Sequence, residues 1–154
     1  MGEKNNLAGV VNPPLLFAVT IIIGLLLNWA YPLPIFRFDW SRELGTAVFL
    51  LGFLMGVPAV LQMRKAQTSP NPYKPTSAIV QSGPFRFTRN PIYLSFCIHY
   101  TGITLFANSA WLVFFFPVLI GMVIDWVIVR EEAYLEKNFG DAYVEYKERV
   151  RRWV

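Results

Sequence analysis

The chain has 154 residues, 55% of them hydrophobic, with a formal net charge of +4 and a mean hydropathy of +0.40. That is the length of one ordinary domain but more apolar than a soluble core requires, which excludes a simple water-soluble globule. A single cysteine, Cys97, excludes an internal disulfide and a multi-cysteine metal site.

A spanning helix needs about 20 largely apolar residues to cross a hydrocarbon core of about 30 Å. Four runs approach that length, at 15–31, 44–63, 91–107 and 110–129. They predict an all-α integral membrane protein of about four transmembrane helices plus a C-terminal amphipathic helix, forming a single membrane domain over 1–154.

The first run follows no basic segment, since Glu3 and Lys4 cancel, and it ends without a small-residue cleavage site. It is expected to be a retained span anchored at the interface by Trp29 and Tyr31. Ser41 is expected to cap the second run. There Gly52 and Gly56 form a small-xxx-small pair, which lets helices approach closely within the chain or in a dimer. Pro58 is expected to kink that helix.

The loop after the second run carries Pro70, Pro72 and Pro75, which favour an extended course. It reads either as a spacer along the headgroups or as a lid over a pocket. Ser82-Gly83-Pro84 signals a turn, and Phe85, Arg86, Phe87 and Arg89 alternate aromatic and positive side chains. Asn90-Pro91 reads as an N-cap followed by proline at the first helical position. The third helix should then present free backbone N–H groups to an anion or carboxylate. Tyr93, Tyr100 and Thr104 share one face of it. His99 has no companions at metal-ligand spacing and is expected to hydrogen-bond between helices, while Cys97 packs as a small apolar side chain.

Asn108-Ser109 forms a tight turn into the fourth run, which contains Asp125. Asp125 lies seven residues before Glu132, so the two should share a helical face behind the site. Beyond Val129 the helix becomes amphipathic, with Tyr134, Leu135, Phe139, Tyr143 and Tyr146 among charges and a bend at Gly140. Arg149, Arg151 and Arg152 are expected to meet anionic lipid.

With four spans, every Lys and Arg except Arg37 and Arg42 falls on one side, with both termini and the 62–90 loop. The positive-inside rule makes that side cytoplasmic. No separate basic domain exists to bind nucleic acid. If the hairpin of the last two runs closes, segments 62–93 and 130–152 meet at that face and form one site.

The pieces GPFRFTRNPIY, then EEAYL about forty residues on, then FGDAYVEYKERV, resemble the isoprenylcysteine carboxyl methyltransferase family and its phospholipid N-methyltransferase relatives. The resemblance covers roughly the C-terminal half. It implies S-adenosylmethionine as methyl donor at the cytoplasmic face and a lipophilic or lipidated acceptor entering from the bilayer. Carried over by position, it puts cofactor contacts at Ser77, Ala78, Ile79, Val80, Phe85, Asn90, Pro91, Ile92, Tyr93 and Glu131, with Arg89, Asn90 and Arg130 as the candidate catalytic set. Asp125 and Glu132 would support these. The chain departs from the family at Asn90, where histidine is usual, and at Val127, where the eukaryotic enzyme has a substrate-contacting arginine; Arg130 lies nearby in another register. No soluble-type GxGxxG signature occurs. Two other classes stay open: a nicotinamide-dependent membrane reductase of sterol-reductase-like architecture, and a non-catalytic four-span scaffold.

Overall fold

The computed structural model describes residues 11–37, 40–71 and 75–154. Every regular element in it is helical. Helix α1 is Pro13–Ala30, α2 is Ser41–Lys65, α3 is Pro91–Phe106 and α4 is Ala110–Val123. A five-residue π-helical segment, Ile124–Ile128, joins α4 to α5, Val129–Phe139, and α6 is Asp141–Arg149. A short 3-10 turn, Gly83–Arg86, precedes α3.

Each start has a local cause. Paired prolines open α1 and Pro91 opens α3, where the missing N–H belongs to a group with no partner inside the helix. Ser41 is the first residue of α2 and makes no side-chain cap, Trp40 taking the capping position. The expected bend occurs at Gly140, whose φ of 53° is left-handed and separates α5 from α6.

Among the described residues, three helices are long and apolar enough to cross a membrane: α1, α2 and the continuous Ala110–Phe139. Together they make a multi-pass integral membrane protein in contact with the bilayer. The fourth apolar helix, α3, has 16 residues, roughly 24 Å at 1.5 Å per residue and so shorter than the hydrocarbon core. The 30 residues of 110–139 reach about 45 Å. The membrane part therefore ends near Val129, and Arg130, Glu131, Glu132, Glu136 and Lys137 project beyond it.

Helix α2 packs along α3, and α1 along α4. Gly45, Gly52 and Gly56 all turn toward α3. A Cβ at Gly52 would lie 2.5 Å from the His99 ring, and one at Gly56 would lie 2.7 Å from Ser95 Oγ. The Gly52/Gly56 face is thus filled within the chain, which corrects the dimer alternative for that surface. His99 is itself held between Phe49 and Phe53, each ring centroid 4.7 Å away. Its Nδ1 is buried without a partner among the described residues, so aromatic packing takes the place of the expected interhelical hydrogen bond.

The core joins Phe17, Tyr100, Leu112, Leu119, Val123, Val127 and Ile128, with Trp153 packed against it. Tyr93, Tyr100 and Thr104 are all buried, as the shared helical face requires. At the end of the bundle away from α5, Asn108 clamps the 31–37 loop: its Oδ1 accepts from Ile35 N and Phe36 N at 3.0 and 2.9 Å, and its Nδ2 donates to Phe36 O at 2.7 Å. The other ends of α3 and the Ala110–Phe139 helix are joined separately, by the bond from Tyr93 to Glu131.

The π segment changes the register of α5 relative to α4. Seven residues on a regular helix return to within about 20° of the starting direction, but one extra residue per turn displaces the face by roughly 100°. Asp125 is consequently exposed while Glu132 is buried, so the expected shared face is not formed.

Candidate functional site

The convergent ends enclose a cavity of about 430 Å³, within the roughly 300–1,000 Å³ range of small-molecule sites. One wall is the segment before and at the start of α3. The 3-10 turn buries Phe85, whose carbonyl accepts from the Tyr146 hydroxyl at 2.8 Å. Thr88 Oγ1 accepts from Asn90 N at 3.2 Å and donates to Arg152 O at 3.0 Å. The Asn90 side chain does not make the expected cap on α3. Instead its Nδ2 donates to Arg152 O at 3.0 Å, tying the helix start to residues 150–153.

The facing wall is α5 and α6. Tyr93, one turn into α3, donates its hydroxyl to Glu131 Oε1 at 2.7 Å. Beside it Glu132 accepts two bonds from Arg152, Nε to Oε1 at 3.1 Å and Nη2 to Oε2 at 2.7 Å. Arg89 Nη1 lies 3.0 Å from the same Glu132 Oε1. Arg89 N also donates to Arg151 O at 3.0 Å, so a short strap from 151 to 152 lies along the start of α3. Arg152, expected to meet lipid, is paired with Glu132 at the edge of the cavity, with 35% of its side chain exposed. Arg149 donates to Gln81 Oε1 at 3.0 Å.

Burial is the main electrostatic force here. It pushes the Glu131 carboxyl up to about 7, with the Tyr93 bond opposing the shift and the Glu132 charge adding to it. Burial also raises the Tyr143 hydroxyl to about 12, with Glu132 adding to the rise and the Arg89 guanidinium opposing it. The hydrogen bonds to Glu132 hold Arg152 above its ordinary value, against its partial desolvation. One carboxylate thus faces two guanidiniums, while the neighbouring carboxylate has a phenol for company.

Of the residues expected at a site, Ala78, Ile79, Val80, Phe85, Arg89, Asn90, Pro91, Ile92, Tyr93, Glu131 and Glu132 line this cavity. Three do not. Ser77 is exposed, its Oγ donating to Gln67 O at 2.7 Å and its N to Thr68 Oγ1 at 3.2 Å, which ties it to the end of the preceding loop instead of the cavity. Arg130 and Asp125 are exposed and stand off the cavity, Arg130 because it lies about 100° around the helix from Glu131. Sequence reasoning missed Met63, Phe96 and Thr68. It named Tyr134, Tyr143 and Tyr146 only as parts of an amphipathic helix, although aromatic residues at helical spacing beside EE were the available signal. Ser69, Pro70, Asn71 and Thr76 also line the cavity, so the described part of the proline-rich loop covers it. Residues 72–74 of that loop, with Pro72, lie outside the described residues.

The donor set suits a cationic, partly flat ligand. Glu131 offers a carboxylate to an ammonium or hydroxyl, and Ile92 and Tyr93 of the first turn of α3 line the cavity together with the rings of Phe85, Phe96, Tyr134 and Tyr143. Among known proteins, the chain is 40% identical over 65 residues to an uncharacterized protein of Haemophilus influenzae. That match covers 41% of this chain and 100% of the other. No solved structure matches. The model of the phospholipid methyltransferase family matches residues 40–142, which take in α2, the 3-10 turn, α3 and the Glu131 helix. The chain therefore belongs to the phospholipid methyltransferase family, a membership that implies a membrane methyltransferase using S-adenosylmethionine.

Proposed function

We propose that the cavity is the methyl-transfer site and that the acceptor is a lipophilic molecule reaching it from the bilayer, as in isoprenylcysteine carboxyl methyltransferases. The observation that carries this reading is the 2.7 Å bond from Tyr93 to Glu131, which joins the two motif segments across one cavity. In this reading the donor contacts are Ala78, Ile79, Val80, Phe85, Asn90, Pro91, Ile92, Tyr93 and Glu131. When bound, S-adenosylmethionine supplies a methyl group on a cationic sulfur together with its leaving group.

The chain's own residues then have three tasks. Glu131 accepts a hydrogen bond from the donor's ammonium or ribose, oriented by Tyr93. Phe85, Tyr93 and Phe96 give apolar or π surface to a flat base and a positive sulfur. The loop residues Ser69, Pro70 and Asn71 cover the cavity and keep water out, which favours in-line attack. The charge asymmetry of the sequence supports a cytoplasmic position for this face and for both termini.

Purified protein in detergent, titrated calorimetrically with S-adenosylmethionine and separately with NADPH, tests the reading. Binding of the first alone is expected. Binding of NADPH alone would favour the reductase, and binding of neither would leave a scaffold. Turnover of labelled donor with lipophilic amine, thiol and carboxylate acceptors then names the acceptor class.

A further inference from the structure

After α6 the backbone turns extended at Val150, with φ −123° and ψ 127°, and residues 150–153 run back along the start of α3 as a strap. Three donors from the segment before α3 end on two consecutive carbonyls of it: Arg89 N donates to Arg151 O, while Thr88 Oγ1 and Asn90 Nδ2 both donate to Arg152 O, each at 3.0 Å. The last two bonds use both lone pairs of that oxygen. The Arg152 guanidinium reaches the other wall, where it pairs with both oxygens of Glu132 on α5. One residue further, Trp153 packs against the core that contains Tyr93, Val127 and Ile128. Neither Arg152 nor Trp153 lines the cavity. The strap thus fastens, from outside, the same two elements that Tyr93 and Glu131 join across the cavity.

We infer that Trp153 and Arg152 are positioning residues of this cavity: Trp153 anchors the strap, and the strap holds the start of α3 and the Glu131–Glu132 turn of α5 at the separation the ligand requires. The inference rests on the methyl-transfer reading for the identity of that ligand, S-adenosylmethionine. The strap also sets the charge beside Glu131. Glu131 is faced by the Tyr93 hydroxyl of α3 and by the Glu132 charge on its own helix, with Tyr134 of α5 and Tyr143 and Tyr146 of α6 on the same cavity. Arg89 and Arg152 offset the Glu132 charge. Losing Arg152 leaves more of that charge uncompensated, which holds the proton on Glu131 to higher pH.

The test uses the whole protein in detergent and two readouts. One is S-adenosylmethionine affinity, measured calorimetrically well below the unfolding temperature. The other is the pH at which the melting temperature falls as Glu131 ionises, near 7 in the native protein. Trp153→Ala is expected to weaken the donor about tenfold and to move that midpoint upward, although Trp153 carries no charge and does not line the cavity. Trp153→Phe keeps a ring against the core and should restore most of both. Arg152→Gln should move the midpoint the same way, and Arg152→Lys by less, because the charge stays. Trp153→Ala combined with Arg152→Gln should move it no further than Arg152→Gln alone, since both act by removing one ion pair.

A role in packing alone lowers the melting temperature at every pH and leaves donor affinity and midpoint where they are. That result for Trp153→Ala would overturn the inference, as would an additive shift in the combined variant. Should Trp153→Ala fail to fold, the comparison passes to Arg152→Gln, and a donor affinity and midpoint unchanged there would overturn it equally. A native protein that binds no S-adenosylmethionine, but whose midpoint rises in both Trp153→Ala and Arg152→Gln, would overturn the methyl-donor reading and leave the strap standing.

Discussion

The hydroxyl of Tyr93 donates to the carboxylate of Glu131 at 2.7 Å, although the two are separated by 38 residues and stand on different helices. Neither helix could place that bond alone. It requires the tight turn after α3, the length of the 110–139 helix and the register set by the π segment. In the proposed site, losing one charge-assisted bond should cost about 1.5–3 kcal/mol, or roughly ten- to hundredfold in affinity. Glu131→Gln is therefore expected to weaken S-adenosylmethionine binding by that order with little change in melting. Tyr93→Phe should weaken it less, since it frees Glu131 from its orienting partner without removing the charge. Unchanged donor affinity in Glu131→Gln, measured calorimetrically, would place the donor elsewhere.

Glu131 also predicts two opposed pH trends. Its carboxyl titrates at about 7 in the folded protein against an ordinary 4.5, chiefly through burial. Between those values the folded state holds a proton that the unfolded chain has released, so this group's stabilisation is full below 4.5 and is lost as pH rises through 7. Donor binding needs the ionised carboxylate and should strengthen over the rise through 7. Glu131→Gln should flatten both trends. A donor affinity that is level from pH 6 to 8 in the native protein would remove Glu131 as the pairing group.

Glu132 should behave differently from its neighbour. It is 8% exposed and pairs with both Arg89 and Arg152. Removing one partner of a buried pair commonly costs about 3–5 kcal/mol, and the partial exposure of Arg152 puts the expected loss at the lower end. Glu132→Gln should accordingly lower the melting temperature far more than Glu131→Gln does. If thermal unfolding in detergent ranks the two variants the other way, the ion-pair cluster does not hold α5 to the start of α3.

The α2–α3 contact makes a prediction about assembly. A methyl added at Gly52 would meet the His99 ring at 2.5–2.8 Å, and overpacking of that kind typically costs about 1–3 kcal/mol. Gly52→Ala should destabilise the protein without changing its oligomeric state, and a smaller residue at 99 should relieve the loss. Light scattering that shows Gly52→Ala dissociating an otherwise intact dimer would contradict the intrachain packing.

Much of the molecule was legible from local pattern. Apolar run length located the helices, Asn90-Pro91 and Gly140 located a start and a bend, and the separation of the two charged segments by one hairpin implied that they meet. These are properties of short stretches, governed by backbone sterics and the thickness of a bilayer. The features decided by the tertiary structure depend on side chains far apart in sequence. The π segment rotated Glu132 inward and left Asp125 outside, which no seven-residue count could anticipate. The strap at 151–152 turned Arg152 from a surface cation into the partner of Glu132 and took the Asn90 side chain away from its capping role. A charge on a helix has several partners within reach, and only packing selects among them, because the cost of desolvating each one depends on its surroundings.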